Sequence, residues 1–434
     1  MDILEIAERA ASSAPRIAES SNQTRNMIIH DIAKEIELNR EKLKNENAKD
    51  VQDASKEGLR SSVVHRLKLD DSKIDSMIKG LTAVAKLDDP INRTIFSLEM
   101  DHGLELYKLT CPIGVVAAIF ESRPDALVQI TSLCIKAANA VILKGGKEAH
   151  RSNRILVESI RNGIRRVGNV PENSVQLIET RQDIDQLLKL DKYVDLILPR
   201  GSSSLVNYVK ENSRIPVLGH SEGLCHEYVD VDADLDMAAE ICYDAKVQNP
   251  SPCNALNTVL VHESISEEFL PSLAKKLELP KVEIRGDELT RRILPQSKAA
   301  TNKDWSTEFL DLIIAVKVVD SLDEAITHIN RYSAHHTDGI ITENAKSAKE
   351  FLKRVNSSVV LHNASTRFSD GYRFGFGAEV GISTGKFHAR GPVGLEGLVT
   401  YKFIVAGSGQ LVSTYVGSNP KPFTHKKLQK TWNP

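Results

Sequence analysis

Apolar residues in the first 88 positions recur at helical spacing. Ile28, Ile29, Ile32, Ile36 and Leu43 lie near a 3.6-residue period, with lysine and glutamate between them. The pattern then changes. Two short alternating runs, 94–98 and 104–109, flank Asp101-His102-Gly103, which predicts a β-hairpin within 91–110. From about residue 113, short apolar runs alternate with helical stretches. Strands are expected at 115–120, 141–143, 175–178 and 194–198, and helices at 127–138, 153–167, 183–190 and 203–210. A second alternating block starts near 224. Its expected strands are 259–261, 313–319, 339–341 and 359–361, with helices at 235–246, 266–276, 322–330 and 345–355. Buried strands spaced by helices predict an α/β fold with doubly wound parallel sheets. Glycines crowd 371–397, a further strand is expected at 399–405, and 416–434 reads as an exposed tail, basic and proline-rich from 419.

Bulk properties narrow the classes. A chain of 434 residues exceeds what one hydrophobic core usually holds, so more than one lobe is expected. Its hydrophobic fraction of 41% and charged fraction of 26% are ordinary for a globular protein. The net charge of −2 provides no electrostatic footprint for nucleic acid or an anionic membrane. No apolar run approaches the roughly 18 residues of a membrane-spanning helix. The acidic N-terminus resembles neither a secretory signal nor a transit peptide. Five scattered cysteines without a C-x-x-C argue against a disulfide framework and a zinc site, and fit a reducing cytosol. The adjacent pair His335-His336 lacks metal-ligand spacing, and its default reading is a surface or turn pair.

Candidate chemistry centres on Cys253. It sits in Gln248-Asn-Pro-Ser-Pro-Cys-Asn-Ala-Leu-Asn257, a proline-stiffened turn that runs straight into an apolar strand. An ordinary buried cysteine is the bland alternative, but this turn is better suited to presenting a thiol. A thiolate is a good nucleophile, and its pKa of about 8.5 is readily lowered by dipoles or cations. Other segments lie at strand ends, where open α/β sheets bind ligands. Lys144-Gly145-Gly146-Lys147 fits a phosphate site or a solvated turn. Arg200-Gly201-Ser202 opens a helix, and its free N–H groups fit either anion binding or simple capping. Glu121-Ser122-Arg123-Pro124 fits a carboxylate or phosphate clamp through Arg123, or merely a helix start. Asn363, Arg367 and the glycine-rich stretch after them form a loop of functional length. His220-Ser221-Glu222-Gly223 links the two blocks.

Together these segments resemble the aldehyde dehydrogenase superfamily, and more closely its γ-glutamyl phosphate reductase branch. The resemblance rests on Phe120-Glu-Ser-Arg-Pro-Asp125, Ile142-Leu-Lys-Gly-Gly-Lys-Glu148, Leu198-Pro-Arg-Gly-Ser202, Pro216-Val-Leu-Gly-His-Ser-Glu-Gly223, Pro252-Cys-Asn-Ala255 and Phe374-Gly-Phe-Gly-Ala-Glu-Val-Gly-Ile-Ser-Thr384. It runs from the N-terminal helices to about 415. It implies NADPH-dependent reduction of L-glutamyl 5-phosphate to glutamate 5-semialdehyde and phosphate, the second step from glutamate to proline, by a stand-alone reductase. Cys253 would form the thioester, with its own N–H and the Asn254 side chain as oxyanion donors. Lys144, Lys147, Arg200, Gly201 and Ser202 would hold NADP(H), and Glu121, Arg123, His220, Asn363 and Arg367 the substrate. His220 stands near the position of the water-activating glutamate of hydrolytic relatives. Lys147 stands where many NAD-dependent members carry a glutamate, which favours a 2′-phosphate. Arg123 stands near the superfamily's oxyanion asparagine. The same resemblance implies an NADP-binding domain from 1–90 and 111–222, a catalytic domain from 223–395 and an oligomerisation element from 91–110 and 396–415. It also implies a cytoplasmic homo-oligomer, at least a dimer, functionally associated with glutamate 5-kinase, and no metal.

Overall fold

The computed structural model describes residues 2–219 and 222–433. The chain divides into two compact units. One comprises the chain up to Leu218 with Gly377–Val380 and everything from Val393; the other comprises Gly219–Phe376 with Gly381–Pro392.

In the first unit, Asp2 and Ser21 cap the helices Ile3–Ala18 and Asn22–Leu38, each side chain accepting a backbone N–H of the first turn. The periodic Ile28, Ile29, Ile32, Ile36 and Leu43 are all buried, as their spacing predicts. Gly163 permits a close helix contact, since a Cβ there would lie 2.7 Å from the Ile32 backbone nitrogen. The core sheet is parallel, in the order Val175–Ile178, Ala140–Lys144, Val115–Phe120, Leu196–Arg200. Its strands bury Val115, Ala117, Ile119, Ile142 and Ile197 against Ile3, Ile6 and Ala10 of the first helix.

The hairpin forms as Thr94–Asp101 and Leu104–Pro112, and Val399–Ala406 pairs antiparallel with its second strand. The C-terminal segment is largely exposed, but it does not hang free. Lys426–Leu428 adds a fourth strand against Thr94–Asp101, Trp432 packs its ring 5.0 Å from Tyr107, and Lys421 and Tyr415 bind the Asp101 carboxylate. Its composition hid a few residues able to pair, because three ladder positions leave no readable period.

The second unit holds a seven-stranded parallel sheet. Its order is Lys298–Ala299, Glu283–Gly286, Ile313–Val319, Leu256–His262, Cys225–Val229, Thr337–Ile341, Val359–His362. Helices Leu235–Val247 and Glu263–Glu278 close one core around Val259, Val261, Phe269, Leu273 and Val316. A second core gathers Tyr228, Leu260, Ile326, Ile340 and Phe351. The strand Cys225–Val229 was not legible from hydropathy, because His226 and Glu227 interrupt it, yet all five of its residues are buried. The His226 backbone and Nδ1 are matched across the sheet, whereas His226 Nε2 and both Glu227 carboxyl oxygens are buried without a hydrogen-bond partner. His226 donates its backbone N–H to Asp338 Oδ1 at 2.9 Å and sets its Nδ1 2.8 Å from the same oxygen, while Ser333 and Ser357 donate to Oδ2. No described helix is long and apolar enough to cross a membrane.

Candidate active site

Parallel strands that are neighbours in a sheet begin on one rim. Leu256–His262, Cys225–Val229 and Thr337–Ile341 are consecutive in the second unit's sheet. Their starting rim therefore brings together Cys225, which opens its strand, His336, which immediately precedes Thr337, and Cys253 in the turn before Leu256. His336 Nε2 lies 3.2 Å from Cys253 Sγ, and its Nδ1 lies 2.8 Å from Thr337 Oγ1. Cys225 donates its thiol to the Cys253 carbonyl at 3.3 Å. His336 is wholly buried and Cys253 half-buried. The surface-pair reading of His335-His336 is thus corrected. Adjacency in sequence hides that the turn carries His335 at φ +59° and turns His336 under the sheet.

The turn is held from several sides. Gly223 passes so close to Cys253 that a Cβ on it would lie 2.1 Å from the Cys253 carbonyl oxygen. Asn257 donates to the Gly223 carbonyl at 2.8 Å. Asn254 donates its amide to the carbonyl of Ser369 at 2.8 Å and approaches that of Arg367 at 3.5 Å. Its N–H groups thus brace the 366–369 turn.

Arg367 is buried, with Nε donating to Gln248 Oε1 at 2.9 Å and no hydrogen-bond partner for Nη1. Burial lowers its pKa, and Arg373 adds to this, while Asp370 and Cys253 oppose it. Arg373 donates to the Arg367 carbonyl at 2.8 Å. Sequence reasoning missed two further ionisable groups. Burial brings Lys246 down to about 8, and burial brings Glu308 up to about 7 against a hydrogen bond from the Gly223 N–H. Neither position carries a motif; Lys246 reads simply as the last turn of a helix. Burial also pushes the Cys134, Cys225 and Cys242 thiols well up, which leaves them inert. No cluster of three potential metal-binding side chains occurs among the described residues.

The first unit carries the remaining expected residues. Lys144 ends its strand almost buried, with Nζ donating to the Gly145 carbonyl at 2.8 Å. The Lys147 side chain is 78% exposed and pairs with Glu57 at 2.9 Å. Glu148 accepts from both the N–H and the hydroxyl of Ser122 at 2.7 Å. Glu121 accepts the Ser202 N–H at 2.8 Å, and a Cβ on Gly201 would strike the same carboxylate. The helix start at Ser202 therefore already holds an anion. Arg200 donates to the Glu379 carbonyl at 3.4 Å. Arg123 is exposed at the N-cap of Pro124–Lys136, with Pro124 in its first turn. In the second unit, Asn363 adopts φ +51° and binds both the N–H and the carbonyl of Thr342, so it pins the strand end and is not brought to Cys253. His220 lies outside the described residues.

The family model for the aldehyde dehydrogenase family matches residues 1–303. The chain is 52% identical to the γ-glutamyl phosphate reductase of Natronomonas pharaonis over 433 residues, covering 98% of each chain. It is 50% identical to that of Pelotomaculum thermopropionicum over 432 residues, covering 100% of this chain and 99% of the relative. The crystal structure of γ-glutamyl phosphate reductase from Thermotoga maritima superposes with a TM-score of 0.93 at 42% identity, over 95% of this chain and 100% of the other. The chain therefore belongs to the aldehyde dehydrogenase family and, within it, to the γ-glutamyl phosphate reductases.

Proposed function

We propose that the chain reduces L-glutamyl 5-phosphate to L-glutamate 5-semialdehyde and phosphate with NADPH, through a thioester on Cys253. One observation carries this reading: Cys253 is half-exposed with an imidazole 3.2 Å from its sulfur, whereas Cys134, Cys225 and Cys242 are wholly buried. The Cys253 thiolate attacks the acyl carbon, and the bond to phosphate breaks. Phosphate is a good leaving group, so this step asks little of the protein beyond positioning. Arg367 keeps one guanidinium nitrogen without a hydrogen bond near the sulfur, which supports a role in holding an anionic group of the substrate.

When bound, the reduced nicotinamide supplies the hydride that turns the thioester into the aldehyde. The residues at the first unit's strand ends fit such a group in part. Lys147 is held only by an exposed ion pair, and pairs of this kind are weak, so it exchanges Glu57 for a phosphate at little cost. Lys144 stands beside it at the same strand end. The Ser202 helix start fits less well, because Glu121 already takes its N–H. Lys147 is therefore the residue that would meet a 2′-phosphate.

The test is the reverse reaction with glutamate semialdehyde, NADP and phosphate. Wild type should reduce the nicotinamide only when phosphate is present. Cys253→Ser should bind NADPH normally and lose nearly all turnover, since serine forms no accessible anion. Near-normal turnover by that variant removes the covalent route.

A further inference from the structure

We propose that His336 is the proton acceptor of Cys253 and holds it as a thiolate–imidazolium pair. The inference deepens the covalent reading above and rests on it. Three observations carry it. The Nε2–Sγ separation of 3.2 Å is hydrogen-bond distance for sulfur. Thr337 Oγ1 lies 2.8 Å from Nδ1, and a hydroxyl oxygen accepting from Nδ1–H turns the Nε2 lone pair toward the sulfur. The ring cannot swing away, because it is wholly buried at the start of a central strand, and the hydroxyl of Ser358 donates to the His336 carbonyl at 2.6 Å. A nucleophile, a base within reach and a third group that orients the base form the arrangement that activates weak nucleophiles generally.

The step balances without any redox partner. The Sγ–H bond breaks, its proton goes to Nε2, and the electron pair stays on sulfur. That pair then forms the bond to the acyl carbon while the carbon–oxygen bond to phosphate breaks. The imidazolium gives its proton to the departing phosphate oxygen. After reduction the aldehyde leaves, the electron pair returns to sulfur, and one solvent proton restores the pair. This matches the single proton that acyl-phosphate reduction consumes.

The surroundings of the pair act in both directions. Arg367, from the turn packed against Cys253, favours the thiolate. Asp338, one residue beyond Thr337, is engaged by His226, Ser333 and Ser357. Cys225 faces the ring from the neighbouring strand, its Sγ 4.0 Å from Nδ1, and burial keeps that thiol neutral. Glu308 and Lys246 reach the site through Cys225. Beside the Arg367 guanidinium, the imidazole supplies a balancing positive charge for the thiolate at contact distance.

The experiment measures alkylation of Cys253 by iodoacetamide against pH in the full chain, with the labelled peptide located by mass. Trapping of a thioester from the acyl phosphate is followed in parallel. Wild type should stay reactive at least one pH unit below the ordinary thiol value of about 8.5. His336→Gln should move the inflection up by one unit or more and lower kcat while leaving NADPH binding unchanged. Thr337→Val, which removes only the orienting oxygen, should move it in the same direction by less, and it serves if His336→Gln does not fold. An unmoved inflection in folded variants overturns the role of His336 even if the thioester forms. Absence of any thioester in wild type overturns the covalent reading instead, so the two failures are distinguishable.

Discussion

Gly223→Ala is the sharpest test of how the nucleophile is held. The added Cβ would lie 2.1 Å from the Cys253 carbonyl oxygen, 2.4 Å from its Cβ and 2.5 Å from its Cα. Real Cβ contacts essentially never fall under 3.0 Å, so the two segments must separate by at least the difference between 3.0 and 2.1 Å, nearly an ångström. Neither side yields easily. The Gly223 carbonyl accepts from Asn257, and the Cys253 carbonyl accepts from Cys225, both on strands of the same sheet. The atoms struck are backbone and the Cβ fixed to it, with no flexible side-chain end to swing aside. The displacement therefore reaches the Cys253 sulfur and its 3.2 Å contact with His336. A misplacement of about 1 Å at a reacting centre costs roughly 100-fold in rate, while overpacking typically costs about 1–3 kcal/mol of stability. Gly223→Ala should fold, bind NADPH and lose about two orders of magnitude in kcat. Gly80→Ala is the control. It lies in the Asp71–Lys86 helix with nothing within 4 Å of the new Cβ, so it should gain about 0.5–1 kcal/mol and keep full activity. A folded Gly223→Ala variant with kcat within a factor of a few of wild type would refute the reasoning.

Three further outcomes follow from the geometry. Lys147→Glu should lower the NADPH/NADH ratio of kcat/KM by roughly 10- to 150-fold, as expected for loss of a charge-assisted contact; an unchanged ratio shows that Lys147 serves only its Glu57 pair. Burial raises Glu308 to about 7, so the fold favours its protonated form: that contribution is complete below about pH 4.5, falls as pH rises and is gone above about pH 7. Glu308→Gln should therefore match wild type in thermal melts near pH 4.5 and exceed it at pH 8 by on the order of 1–3 kcal/mol, and equal stability at pH 8 contradicts the raised value. Ile95, Phe96, Tyr401, Phe403 and Val405 leave an apolar band on the antiparallel sheet, with Val399–Ala406 at its edge, so light scattering should find at least a dimer, and a monodisperse monomer at micromolar concentration removes this expectation.

The legible parts of the fold were those in which one physical rule decides the outcome. The strands at 175–178 and 313–319 match the observed Val175–Ile178 and Ile313–Val319, because short runs rich in valine and isoleucine between helical stretches have few alternatives. Cys253 was legible because a cysteine between prolines and a core strand is poor core filler. His336 was not. Nothing local distinguishes a histidine exposed in a turn from one drawn under a sheet, and its meaning depends on Cys253, which lies 83 positions earlier. The partners of Asn254 and Asn363 were hidden for the opposite reason. Their residue type suits a binding site, but each amide is already committed to a backbone group that only the folded chain presents.

The same limit explains why the strand that organises the site was the hardest to see. Cys225–Val229 lies between the strands that follow Cys253 and His336, so a single run of five residues fixes the spacing of nucleophile and histidine. An all-apolar strand would build the same sheet with less risk, since a buried imidazole or carboxyl costs stability unless it is matched. Here one side of the imidazole is matched specifically, while the Glu227 carboxyl is left without a hydrogen bond. Asp338 accepts the His226 backbone N–H and sits against its ring, and Gly339 lies where any Cβ would strike the Glu227 carboxyl at 2.1 Å. A slip of one residue between these strands would move every side chain to the other face and break the Asp338 contacts as well. The polar strand thus trades stability for register, and register is what brings His336 to 3.2 Å from Cys253. His226→Leu separates the two quantities: it should leave the unit folded while loosening the site, seen as a lower kcat and a broadened pH profile of Cys253 alkylation. If kcat and alkylation both stay at wild-type values, register is set by the apolar positions alone.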